Sequence, residues 1–223
     1  MSRSTAMIEA AVDKAIAIPA SRITERVARM RRDRPGADTA ELVALAADRF
    51  RNEAGLSSGA VGASAALPSI GTASAAALTV GQAAVFIGSA VTYVLTVAEL
   101  QGLRVVEPEK RRALVLSALL GREGSEAVQG QLGLASLFWA AQSLAQMPIP
   151  TAKSINGQLA KRLAKRAVAK GGAVALGRLL PLGIGAAIGY SGGRALANQV
   201  IEGAQAALGP VSPFTPAMEV IEA

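Results

Sequence analysis

"LLPLGIGAAIGYSGG", residues 179–193, decides how the chain is read. It carries no charge, has glycines at 183, 185, 189, 192 and 193, and follows a strongly basic run. Gly185, Gly189 and Gly193 recur every fourth residue and so share one helix face, where missing side chains let a second backbone come close. The segment predicts tight helix–helix contact, either in a bilayer or in a globular core. A phosphate loop is the third reading, because "GIGAAIG" is one residue off the dinucleotide fingerprint and Glu202 lies near the distance of a ribose-binding acid. No strand precedes it, and a basic helix stands where that strand should be, so nucleotide binding is set aside.

Upstream, residues 158–170 form that basic helix. At 100° per residue Leu159, Ala160, Leu163, Ala164 and Ala167 occupy one side, while Lys161, Arg162, Lys165 and Arg166 cover the other. From Ala127 to Ile201 there is no acidic residue, and Lys161, Arg162, Lys165, Arg166, Lys170, Arg178 and Arg194 all fall in that span. They are the expected ligands of a polyanion, with Arg178 and Arg194 bracketing the glycine segment. A second basic cluster, Arg22, Arg26, Arg29, Arg31, Arg32 and Arg34, lies near the N-terminus. DNA reading would need a recognition helix, and the basic helix offers only lysine and arginine, so sequence-specific nucleic-acid binding is not expected.

The second apolar region starts after Glu53 and continues for 45 residues without a charge, to Glu99. "LPSIG" (67–71) divides it, and residues 71–101 are long enough to cross a bilayer. Their filling is mild, since each Leu, Ile, Val or Phe contributes only about −0.3 to −0.6 kcal/mol to insertion. Ala77, Gly81 (or Ala84), Gly88 and Thr92 offer a face for the 185/189/193 glycines. Glu99, Arg104 and Tyr93 are expected where this helix meets water.

Elsewhere the signals are those of helices. Residues 4–33 are amphipathic and interrupted at Pro19. "DTAE" (38–41) is a capping box opening a helix to about Gly55. Pro108 suits the first turn of a helix that ends at Gly121, and a further helix is expected from Ser125 to Ala145, with "MPIP" ending it. A last helix should run to about Leu208, and the flexible proline-containing tail, 209–223, should be extended or disordered. No strand-period run of any length occurs.

The bulk composition agrees: apolar residues are 51% of the chain, mostly Ala, Leu and Val, and aromatics only 3%. An all-α, compact multi-helix bundle is expected, with 1–54 as N-terminal amphipathic helices and 55–208 as the main helical domain. There is no Cys or His, which removes disulfides, thiolate nucleophiles, imidazole ligands and His-based triads. Glu9/Asp13 and Glu41/Asp48 sit at ordinary helical spacings. No residue is assigned a catalytic, metal or cofactor role. Glu9, Asp13 and Lys14 interrupt the place of a signal-peptide apolar region, so a cytoplasmic location is expected.

In their order, three stretches resemble the EcsC family: "GAVGASAALPSIGTASAAALTVGQ", "ELQGLRVVEPEKRRALVLSALLG" and "KRLAKRAVAKGGAVALGRLLPLGIGAAIGYSGGRALANQVIEGA". The resemblance covers about 55–208, and departs where the family's last helix commonly has an asparagine after its glycines; here "YSGGRA" precedes Asn198. It implies a helical, membrane-associated bacterial protein with no established reaction or cofactor, and with the cytoplasmic expectation the location expected is the inner face of the cell membrane. The expected partner is an anionic membrane surface, with a protein partner as the alternative for a soluble helical interaction module whose apolar segments are its core.

Overall fold

The computed structural model describes residues 3–64, 72–136, 138–177, 184–211 and 219–221, with the backbone alone for 3–9, 60–64, 72–82, 167–177, 184–188 and 219–221. Among these residues nine helices and two three-residue strands form, so the protein is all-α. Pro19 separates α1 (Arg3–Ile16) from α2 (Ala20–Asp33) and stands at the N-cap of the second. A proline has no N–H to give to a helix interior, but at a helix start none is needed. Ile23, Val27 and Met30 make the buried stripe of α2.

The capping box forms as read. The Asp38 N–H donates to Glu41 Oε2 at 3.2 Å, and the Glu41 N–H donates to Asp38 Oδ1 at 2.8 Å. The helix it opens, α3 (Thr39–Ser64), runs past the stop expected near Gly55. Gly55 is not a terminus but a contact: a Cβ there would stand 2.7 Å from Cε2 of Tyr190. The next helix, α4 (Thr72–Leu100), leads through strand β1 (Leu103–Val105) to α5 (Pro108–Leu119). Pro108 occupies its first turn, and Gly121 turns the chain with φ +73°.

One expected helix, 125–145, is broken in the structure. Helix α6 (Arg122–Leu132) ends at Gly133, which takes the left-handed conformation with φ +66°, and only the short α7 (Trp139–Ser143) follows. Nor does "MPIP" end a helix: α7 stops at Ser143, ahead of the motif, which instead starts the next one. The Ala152 N–H donates to the Pro148 carbonyl at 3.0 Å, and α8 (Ile149–Gly177) begins there with Pro150 in its first turn. The last helix, α9 (Ile184–Leu208), stops at Gly209, φ +84°. Beyond it, Glu219–Ile221 forms β2, paired in parallel with β1 in the register Leu103↔Glu219. Three residues are too few to show a strand period, which is why the pattern carried no sign of them.

The buried apolar side chains form one cluster from Val12 to Leu208, centred on Trp139, Leu100, Leu114 and Leu116. Helix α3 packs along α9 and α4 and crosses residues 54 and 55 without interruption. Helix α5 packs on α8 and α9, and α1 and α2 cover α4. Arg111 ties these layers together from inside: its Nε donates to the Val105 carbonyl at 2.6 Å, and its Nη1 donates to those of Ile16 (3.1 Å) and Ile18 (2.6 Å). Those carbonyls belong to the end of α1 and to β1, and the buried guanidinium supplies the donors they lack.

Candidate functional site

At Gly189 and Gly193 the glycine face of α9 meets α3. A Cβ at Gly189 would stand 2.5 Å from the Ser58 carbonyl oxygen; one at Gly193 would overlap the Ala54 carbonyl and stand 2.5 Å from Ser58 Oγ. The two helices run antiparallel, as Gly189 lies level with Ser58 and Gly193 with Ala54. The face expected on α4 is therefore corrected: a Cβ at Gly88 meets nothing within 4 Å, and Ala84 is exposed. Gly88 has another use, its carbonyl accepting from Thr92 Oγ1 at 2.9 Å. Gly81 and Gly185 lie in α4 and α9, with surroundings outside the described residues. The signal for the true partner was present, because Ala54 and Ser58 are themselves small residues four apart.

Below this contact a polar band joins the same two helices. Arg194 Nη1 donates to Asn52 Oδ1 at 2.9 Å and to the Tyr190 hydroxyl at 3.0 Å, and its guanidinium lies 5.6 Å over the Tyr190 ring. Arg51 Nε donates to Asn198 Oδ1 at 2.8 Å while its Nη1 reaches Asp48 at 2.7 Å. Sequence reading placed Arg194 among polyanion ligands; in the fold it also marks the level at which the charged part of the α3–α9 pair ends.

The basic residues of α8 divide into two groups. Lys161, Arg162 and Lys165 are exposed on one face of a helix that has no acidic residue. Arg166 is half-buried, and its Nη1 donates to the Leu120 carbonyl at 2.9 Å. Gln199 Nε2 donates to the neighbouring Leu119 carbonyl at 2.7 Å, so both residues satisfy the open end of α5. Glu123 is the acid beside this face, 4.0 Å from Arg162 and 3.9 Å from Arg166. These pairs are long and solvated, and leave the cations open to a stronger anion. Lys170 falls on the helical register of Leu159 and Arg166; its side chain, like Arg178 as a whole, lies outside the described residues. In the N-terminal cluster Arg22, Arg29, Arg32 and Arg34 are exposed, interleaved with exposed Glu25 and Asp33.

Glu99 and Tyr93 do not mark the water boundary expected of them, as each is 3% exposed. The end of α4 is covered by β1, α1 and α5, which no local pattern announced. Burial pulls the Arg111 guanidinium below the usual arginine value, with the Glu99 carboxylate opposing that shift and Arg104 adding to it. Burial likewise pushes the Tyr93 hydroxyl up to about 12, against a smaller lowering by Arg51.

An open cleft of about 400 Å³ lies between α6 and α8, lined by Glu123, Glu126, Gly130, Gln131, Gln158 and Arg162. Its two acids and one arginine are solvent-screened and leave no nucleophile–base pair in view. Among the described residues no group of three acids gathers to hold a metal ion. One helical stretch among them, Ala83–Leu100, is long and apolar enough to cross a membrane, and 61% of it is buried within the protein. No protein-family model, curated protein or solved structure matches the chain.

Proposed function

We propose that the protein is an EcsC-like, membrane-associated helical protein of the cytoplasmic face that binds anionic lipid through the outer side of α8, in an accessory role without catalysis. The observation that carries this reading is the exposure of Lys161, Arg162 and Lys165 together on an acid-free helix. Near an anionic surface each basic residue is worth about 1 kcal/mol, so three give useful attraction, to which Lys170, Arg178 and Arg194 add where they reach the headgroups. The resemblance of residues 55–208 to EcsC proteins supports the same location.

Flotation with vesicles tests it. Binding to phosphatidylcholine vesicles containing phosphatidylglycerol, weak binding to phosphatidylcholine alone, and loss on K161E/R162E/K165E are expected. Equal binding to both vesicles, or none, removes the proposal.

The burial of most of Ala83–Leu100 favours a second reading, a soluble helical interaction module whose uncharged helices are its core. Under that reading the protein stays in the supernatant of fractionated cells at low salt. Under the first, it sediments with membranes.

A further inference from the structure

We infer that the uncharged end of the α3–α4 hairpin, with the start of α9 packed on it, enters the near leaflet of a bilayer and stops there. The inference rests on the membrane reading above and adds depth and topology to it. Because α9 runs antiparallel to α3, its first residues lie beside the last residues of α3. Phe50 touches both Phe86, at 5.8 Å between ring centroids, and Tyr93, at 5.0 Å, and the seven residues between α3 and α4 can span at most about 25 Å, so α4 runs back along α3 and its part before Phe86 lies at the same end. Residues 54–64 of α3, 72–86 of α4 and 184–193 of α9 thus project together, and none of them is charged.

The burial pattern changes at the same level. From Ile87 onward α4 is mostly buried, whereas Ala83, Ala84 and Val85 are exposed, Val85 by 57%. On α3, Leu56 is exposed by 67%, one turn beyond Glu53. Apolar side chains bared on an uncharged end favour a partner that is itself apolar. Around the rim stand Arg51, Asn52, Glu53, Arg194 and the half-exposed Tyr190, the cation-and-aromatic combination suited to the headgroup level.

Length sets the depth. Ala54 to Ser64 spans about 16 Å at 1.5 Å per residue, close to half of the roughly 30 Å hydrocarbon core. Two features stop the end from crossing. The remaining part of α4 is committed to the protein core. Lys170 and Arg178 precede α9 in the sequence, and a cation at the bilayer centre costs about 2.5–3.5 kcal/mol.

The chain has no cysteine, so single labels are simple to place. Variants L56C and V85C, with E202C as the control on the charged part of α9, are spin-labelled and bound to phosphatidylcholine–phosphatidylglycerol vesicles, and S64C is bound to them with its thiol free. Oxygen should broaden the signals at 56 and 85 more than an aqueous nickel chelate does, with the reverse at 202. An impermeant thiol reagent trapped in the vesicle lumen should leave S64C unmodified. Vesicle-bound protein with aqueous labels at 56 and 85 overturns the inference while leaving lipid binding intact. So does lumenal modification of S64C, which means spanning, or spin–spin broadening at 56 without vesicles, which means a second copy covers this end. Failure to float at all refutes the proposed function itself.

Discussion

Gly192 and Gly193 are neighbours on α9, yet the same Gly→Ala change should act on them with opposite sign. A Cβ at 193 overlaps the Ala54 carbonyl and stands 2.5 Å from Ser58 Oγ and 2.8 Å from Ser58 Cβ, where ordinary contact begins at about 3.5 Å. Two of the three obstacles are part of the α3 backbone or fixed to it, so α9 must withdraw by about 1 Å. That movement also loosens Gly189 on Ser58, the Tyr190 ring on Gly55 and Arg194 on Asn52. Overpacking of this kind costs about 1–3 kcal/mol. The higher helix propensity of alanine returns about 1 kcal/mol. At Gly192 a Cβ meets nothing within 4 Å, so only the propensity gain remains. The two variants should therefore differ by about 1–3 kcal/mol, with G192A above the parent protein and G193A the less stable of the pair. Urea unfolding followed by far-ultraviolet circular dichroism measures this directly; in thermal unfolding each kcal/mol is about 2–4 °C in a chain of this size. If G193A proves as stable as G192A, α9 is not pressed onto α3 and the packing argument fails.

Two further perturbations probe the buried polar groups. Arg111→Met orphans the Val105, Ile16 and Ile18 carbonyls and leaves Glu99 without its nearby cation, so a loss of about 3–5 kcal/mol is expected, with amide exchange rising first around residues 16–18. Arg111→Lys should recover less than half of it, since an ammonium cannot fan out to three carbonyls as the guanidinium does. Tyr93 is neutral when folded and its pKa is raised to about 12, so its contribution is fully present below pH 10 and is lost as pH rises from 10 through 12. Urea midpoints across that range should show the decline, and Tyr93→Phe should remove this residue's share of it. The same variant should gain about 1 kcal/mol at neutral pH, because the Tyr93 hydroxyl is buried without a partner.

Signals confined to one turn of chain were legible. The Asp38/Glu41 box, Pro19, Pro108 and Gly121 mark helix boundaries by which local N–H and C=O groups need partners, and all four act as read. Gly55 and Gly133 show the limit of such reading. Both are glycines near an expected helix, but one stays helical against Tyr190 and the other ends α6 in the left-handed region. A glycine permits both outcomes, and what surrounds it chooses.

The candidate site divides along the same line. Residue types and spacing were enough to establish that helices dominate, that the 185/189/193 face suits close backbone contact, and that α8 has a cationic side. Folding alone decided that α3 is the helix received by Gly189 and Gly193, that Arg166 turns inward to the end of α5, that Glu99 and Tyr93 are interior, and that Glu219–Ile221 returns to β1. Periodicity reports which face of a helix is apolar or small. Which other face it meets depends on shape and on carbonyls elsewhere in the chain, over separations of 46 residues for Arg166 and 147 for the Arg51–Asn198 pair.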